Sequence, residues 1–413
     1  MPLAWHFSTI TAIKLMKKLI IALIILAATT STAMAESKVP ARNRLYTSNE
    51  IRKNIILPQV NGYNCYKADF HCHTIYSDGQ VTPAWRVREA WLDGLDIIAI
   101  TDHLEVRRYE PTILKHLRKY NPDGEPHKYV YAGSAKVPVN DDPVMSDFNV
   151  SYEEAEKAAK KYPVHVIKGI EISRTKATGS DYNALFVKDI EKIYDKDHFQ
   201  VLRNAKEQGC LVIHNHPVIG RAEAVMTEFE KAAMAEGLFD GIEVASGYTF
   251  YPPIVKRALE NKMFMVAATD SHIPTSSGNF ADGIYRTMTL IFAKENNEKC
   301  LKEALKARRT LGYCGGHLIG EEQLLKDFFN AAVNVQLLSK DNKGTCTYAL
   351  TNNSSIAFTL MRGSVEYSLP AMQVTMITIK GNRKKKAVKP RFQVNNMWHV
   401  DNQNLTIDLK VNK

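Results

Sequence analysis

The 413-residue sequence has little cysteine, no long apolar run and no concentrated basic surface. Its six cysteines (Cys65, Cys72, Cys210, Cys300, Cys314 and Cys346) are scattered, without the dense spacing of a disulfide-stapled scaffold. A chain this long buries a sizeable core and needs no such staples. No apolar run reaches the ~20 residues that span a bilayer. The formal charge of +10 is spread thinly. Its one dense group, Arg383, Lys384, Lys385, Lys386, Lys389 and Arg391, reads as a solvated loop between strands and excludes a nucleic-acid scaffold. With 45% hydrophobic and 24% charged residues, the chain is globular, and disordered and fibrous classes are excluded.

The first 35 residues differ in kind from the rest. Lys17 and Lys18 precede the apolar run 19–28, and Ala33-Met34-Ala35 follows, which is the pattern of a cleaved secretory signal. Met16 begins that pattern better than Met1. Residues 1–35 are therefore set apart as a signal peptide, which implies export to a periplasmic or extracellular location and no permanent membrane anchor. The fold is expected over 36–325, with a second domain over 330–413.

From about 65 to 320, short apolar β-branched runs alternate with helix-like stretches, the rhythm of an α/β sheet or barrel. The strand candidates are 68–70, 97–100, 164–167, 211–213, 242–244, 263–267 and 288–292. Helix candidates are 82–93, 153–161, 222–235, 253–261 and 298–308; the first has a Thr-Pro start and Gly94 as its stop. After about 330 only strand-like runs remain, separated by turn-forming groups such as Asp341-Asn342-Lys343-Gly344. They predict a small all-β sandwich.

The polar residues fall at the ends of these strands. His71 and His73 stand at i and i+2, on one face of a strand end, followed by Ser77-Asp78-Gly79. Cys72 between them points the other way and reads as a buried small hydrophobe. Asp102-His103, Glu171, His214 with His216, and Asp270 with His272 follow later strands. The C-terminal strand ends of a β/α barrel converge on one face, which would bring them together. Six of the thirteen histidines lie in these segments beside several acids. Gathering so many ionisable groups is electrostatically costly unless divalent cations neutralise the carboxylates, so a multi-metal site is expected. Mixed imidazole and carboxylate donors suit zinc, manganese or iron alike. Asp102 is a candidate to orient an imidazole from behind.

The segments D-x-H-x-H-x-x-x-S-D-G, T-D-H, G-I-E, H-P and T-D-S-H, in this order, resemble those of the PHP (polymerase and histidinol phosphatase) superfamily over residues 65–320. The resemblance implies a distorted (β/α)7 TIM-like barrel holding two or three divalent ions and hydrolysing phosphate esters. His71, His73, His103, Glu171, His216, Asp270 and His272 match metal ligands of that family, and Asp78 stands where members have Asp or His. Asp181 occupies a position where related exported proteins often have His, and it would harden that metal position. His214 rivals His216, which directly precedes Pro217 as the family ligand does.

In the expected chemistry a hydroxide between two metals attacks the phosphoryl group, with Glu171 bridging the ions. His272, Asp270 or His214 supplies or relays the leaving-group proton. Arg174, Arg286 and Arg309 are candidates for forked contacts to phosphoryl oxygens. The similarity of the opening motif's spacing to members acting on phosphodiesters favours a phosphodiesterase. The alternatives are a phosphomonoesterase of the histidinol-phosphatase type, a metal-dependent amidohydrolase, and a non-catalytic metal-stabilised binding protein. The expected partner is a small phosphorylated substrate, with at most weak self-association.

Overall fold

The structure is a computed structural model that describes residues 50–107, 127–129, 144–146, 148–275, 283–381 and 390–411. The expected signal peptide, 1–35, and most of the basic group, residues 383–389, lie outside the described residues. No helix among the described residues is long and apolar enough to cross a membrane.

Strands β1 (Asn64–Asp69), β2 (Ile97–Ile100) and β3 (His165–Ser173) pair in parallel. So do β5 (Leu211–His214), β6 (Gly241–Ser246) and β7 (Phe264–Ala268). Between the two trios lies β4 (Asp181–Leu185), antiparallel to both neighbours. It returns from β3 after only the four-residue helix α3 (Thr175–Thr178), too short a connection for a parallel crossover. On the other flank β1 pairs antiparallel with β8 (Met288–Ala293), and β8 with β9 (Thr310–Cys314). The expected run of seven βα units is thus interrupted by antiparallel strands. No continuous ladder among the described residues closes the sheet. Threonine hydroxyls join its two ends instead: Thr289 Oγ1 exchanges hydrogen bonds with Ala267 N and O, and Thr310 Oγ1 donates to Met265 O.

The helices follow from local chemistry. In α1 (Pro83–Leu92), Pro83 starts the helix, the Thr82 hydroxyl accepts from Trp85 N, and Gly94 leaves it at φ +85°. Helices α2 (Val150–Ala159), α4 (His198–Glu207), α5 (Glu228–Ala235), α6 (Pro252–Glu260) and α7 (Glu298–Lys306) succeed it, with α4 unforeseen in the sequence.

The C-terminal part is continuous with this sheet. Strand β10 (His317–Ile319) is antiparallel to β9 and parallel to β16 (Arg391–His399), which pairs with β13 (Phe358–Arg362) and β17 (Gln403–Asp408). A second sheet, β11 (Val333–Lys340), β12 (Cys346–Asn352) and β15 (Val374–Ile379), completes the expected sandwich. The strand β14 (Val365–Leu369) extends the first sheet from β13. An unforeseen helix, α8 (Glu322–Ala332), buries Leu325, Phe328 and Phe329 in the core that also holds Phe292 and Phe358. All six cysteines are free, and Cys72 is fully buried, its thiol 3.1 Å from Ala99 O.

Candidate metal centre

The strand ends deliver their side chains to one mouth. His71, Cys72 and His73 extend β1 toward the segment after β7. Asp270 N donates to His71 O at 2.9 Å, and His73 N to Ser271 O at 3.1 Å. The loop after His73 can fold back only because residue 79 is glycine. A Cβ there would come within 2.6 Å of His73 C and O, a backbone clash that cannot be relieved by side-chain movement.

Three groups of donor atoms converge: His73, Asp78, His103 and His272; His71, Glu171 and His216; and His71, His73 and Asp270. His71 Nε2 lies 3.1 Å from His73 Nε2, 3.3 Å from Glu171 Oε1 and 3.2 Å from Asp270 Oδ1. His73 Nε2 is 3.0 Å from Asp270 Oδ1. His216 Nε2 is 3.5 Å from Glu171 Oε1. Asp78 Oδ1 faces His272 Nε2 at 3.2 Å, His103 Nε2 at 3.4 Å and His73 Nδ1 at 3.7 Å, without hydrogen-bond geometry to any. A buried carboxylate oxygen surrounded by imidazole nitrogens but bonded to none fits a cation among them.

Eight of the nine expected ligands are therefore brought together. Asp181 is not. Its Oδ1 accepts from Arg174 N at 2.6 Å and Thr175 N at 2.8 Å, and its Oδ2 accepts from the Thr175 hydroxyl, so its carboxylate organises the start of α3. His214 and His216 separate as well. His214 ends β5 facing away from the mouth, stacked on Tyr182 and 3.3 Å from Glu230 Oε1. The chain then turns, with His216 at φ +24° and the cluster residue Asp270 at +49°. Such left-handed conformations in non-glycine residues are uncommon and collect where function fixes the backbone.

The surroundings orient the donors. His71 Nδ1 is 2.8 Å from Glu243 Oε1, whose other oxygen accepts from His216 N at 2.6 Å. His272 Nδ1 donates to Asp270 O at 2.9 Å, which leaves the Nε2 lone pair toward Asp78. Asn215 Nδ2 donates to Glu171 Oε1 at 2.7 Å. Arg86, fully buried, donates to the carbonyls of His73, Ser271 and Ile273 and so ties two ligand loops together. Glu243, Asn215 and Arg86 were missed in the sequence. The signal for Glu243 was an acid inside the apolar run 241–245, a position that a carboxylate occupies only with a partner. Asp102 orients no imidazole: it accepts from Thr74 N at 2.6 Å and from the hydroxyls of Ser77 and Ser151 at 2.6 and 2.5 Å.

Burial opposes ionisation throughout; it prevails at His73, and contacts override it at His216, Asp78 and Asp270. Burial and the neighbouring His103 push His73 down to about 4. Against its own burial, Glu171 and other acids raise His216 to about 9. Asp78 and Asp270 are held well below the usual carboxylate range despite burial, Asp78 by His103 and His272, Asp270 by His71 and His73. Ionised acids thus crowd a site that cations would neutralise.

None of the three arginines offers a free fork. Arg174 pairs with Glu105 at 2.9 Å, both buried. Arg286 pairs with Asp69 at 2.5 Å and reaches Asp93 at 3.4 Å. Arg309 bonds Phe292 O and Glu303. Phe292 pairs with Cys65 near the start of β1, so Arg309 sits at the end of the sheet opposite the mouth.

A model of the PHP domain matches residues 69–215, which carry His71, His73, Asp78, His103 and Glu171. Residues 69–215 are similar to a PHP domain. An Ig-like domain model matches residues 332–410, the C-terminal sandwich. The structure is similar to the crystal structure of a two-domain protein from Bacteroides vulgatus containing a predicted PHP-like metal-dependent phosphoesterase. That likeness has a TM-score of 0.74 at 29% identity and covers 87% of this chain and 98% of the other. An uncharacterized protein of Methanocaldococcus jannaschii is 43% identical over 61 residues, 13% of this chain, and the match spans only 28% of that relative. The PHP domain and the Bacteroides likeness support a hydrolytic enzyme of mixed α/β fold whose His, Asp and Glu clusters are able to bind metal.

Proposed function

We propose that this protein is an exported phosphoesterase with a preference for phosphodiesters, working from a PHP centre of two or three zinc, manganese or iron ions in a distorted (β/α)7 barrel. His71, His73, Asp78, His103, Glu171, His216, Asp270 and His272 would hold the ions. Divalent ions bound there supply Lewis acidity and activate water near neutral pH. The protein's own part is positioning. Glu243 and the Asp270 carbonyl fix the rings of His71 and His272 so that each Nε2 lone pair faces the cluster. Arg86 holds the loops that carry His73 and His272 in register. Asp270 and His272, with side chains 22% and 35% exposed, are the cluster residues an incoming ester meets and the candidates to move its leaving-group proton.

The diester preference rests on one observation: Arg174, Arg286 and Arg309 are all committed elsewhere. A dianionic monoester asks for more positive charge than a monoanionic diester, and none of the three supplies it. The test is turnover of p-nitrophenyl mono- and diesters by the purified protein with manganese, zinc and iron, beside Asp270→Asn. Faster cleavage of diesters is expected. Cleavage of monoesters alone would remove the diester preference, and no turnover with metal bound would remove the whole reading.

A further inference from the structure

Next to the metal centre lies a cavity of about 410 Å³ whose lining includes Asp270, His272, Tyr248, Ile273, Pro274 and Arg286. Two residues belong to both features, so a substrate atom at the cluster is continuous with whatever fills the cavity. Its rim carries large apolar side chains in the open: Tyr248 is 65% and Ile273 49% exposed. Single exposed hydrophobics are ordinary, but two on the lining of one cavity beside a reactive centre form a pocket of the kind that takes an apolar ligand group.

The walls are preformed. Arg86 donates to Ile273 O at 2.9 Å, and Thr275 N donates to Glu89 Oε1 at 2.9 Å, which fixes the Ile273 wall to α1. Across the cavity the Thr287 hydroxyl donates to Gly247 O, and Gly247 N donates to Ala268 O at 3.0 Å, which hold the turn bearing Tyr248. The buried Arg286 leaves its Nε without a hydrogen-bond partner. The lining thus combines the apolar faces of Tyr248, Ile273 and Pro274 with the polar side chains of Thr269, Ser271 and Thr275.

We propose that this cavity is the leaving-group subsite, and that it seats an aromatic group on the ester oxygen between Tyr248 and Ile273. Aromatic pairs prefer offset or edge-to-face contact, which a tyrosine at a pocket rim can offer. The inference rests on the phosphoesterase reading, and its test is built to separate the two.

Benzyl and methyl phosphodiesters have alcohols of matched acidity, so their rates compare binding and not leaving-group reactivity. With the manganese-loaded full-length protein, kcat/KM is expected to favour the benzyl ester by about tenfold or more, mostly through KM. In the Tyr248→Ala/Ile273→Ser double variant that advantage should shrink to within about twofold. Both side chains are exposed, so the variant keeps its fold, checked by an unchanged melting temperature. Equal rates in the natural protein, or an advantage that survives in the variant, overturn the proposal. Affinities for benzyl- and methylphosphonate decide it without turnover. If no ester is cleaved but benzylphosphonate still binds tighter and loses that margin in the variant, the subsite stands and the phosphoesterase reading falls. Equal affinities without turnover overturn both.

Discussion

Glu243 Oε1 lies 2.8 Å from His71 Nδ1, and the same carboxylate accepts the backbone N–H of His216 through its other oxygen at 2.6 Å. One buried acid thus fixes two members of the His71–Glu171–His216 group from behind.

Replacing Glu243 with glutamine should keep the shape and remove the charge that makes His71 a good donor. Metal affinity is expected to fall by about 10- to 100-fold, the usual cost of losing such an outer partner. Metal titration followed by calorimetry measures this, and unchanged affinity would refute the orienting role.

His214 and His216 should part company under substitution. His216→Ala is expected to lower bound metal per protein and abolish turnover. His214→Ala should leave bound metal unchanged and cost about 2 kcal/mol or more of stability, because it empties a fully buried position against Tyr182 and Phe239. Elemental analysis and urea unfolding separate the two outcomes.

Glu230 predicts how stability depends on pH. Burial works against its ionisation, but contacts from His214 and Arg221 outweigh burial and hold it well below the usual carboxylate range. Its folded pKa is therefore below its unfolded one. The stability it contributes is present above about pH 4.3 and is lost as pH falls through the folded value. Unfolding free energies between pH 3 and 6 should show this slope in the natural protein and a shallower one in Glu230→Gln.

Arg309→Ala should leave kcat/KM within about twofold, since the residue lies at the far end of the sheet. Arg286→Ala should destabilise the protein by about 3–5 kcal/mol, because it strands buried Asp69. Kinetics and thermal unfolding of the two variants check both.

Gly79→Ala should disrupt the loop that brings Asp78 to the imidazoles, since the added Cβ meets the His73 backbone. Loss of bound metal, with the circular dichroism spectrum retained, is the expected result.

What could be read from the sequence was what local pattern controls. Residues 97–100 match β2, and Thr82, Pro83 and Gly94 bounded α1, because caps and turns act within a few residues. The eight clustered residues were legible because His and acids recur directly after apolar runs. Partners chosen across the fold were not. Nothing near Arg309 in sequence says that β8 runs antiparallel to β1 and carries it away from the mouth. His214 and His216 share a strand period, and only the turn after β5 sends them to opposite sides. Asp181 sits where a ligand was expected, but the short return to β4 turned its carboxylate to α3. Helix α8 falls at the boundary where the βα rhythm gives way to strand-like runs, and its apolar residues blend into them.

The continuity of the sheet through β10 and β16 bears on how the chain is made. Until residues 391–399 have been synthesised, β10 has an open edge, and an open edge invites pairing with other chains. A chain ending near residue 320 would contain every residue of the cluster and still expose this edge. Strand β16 covers that edge from within the same chain.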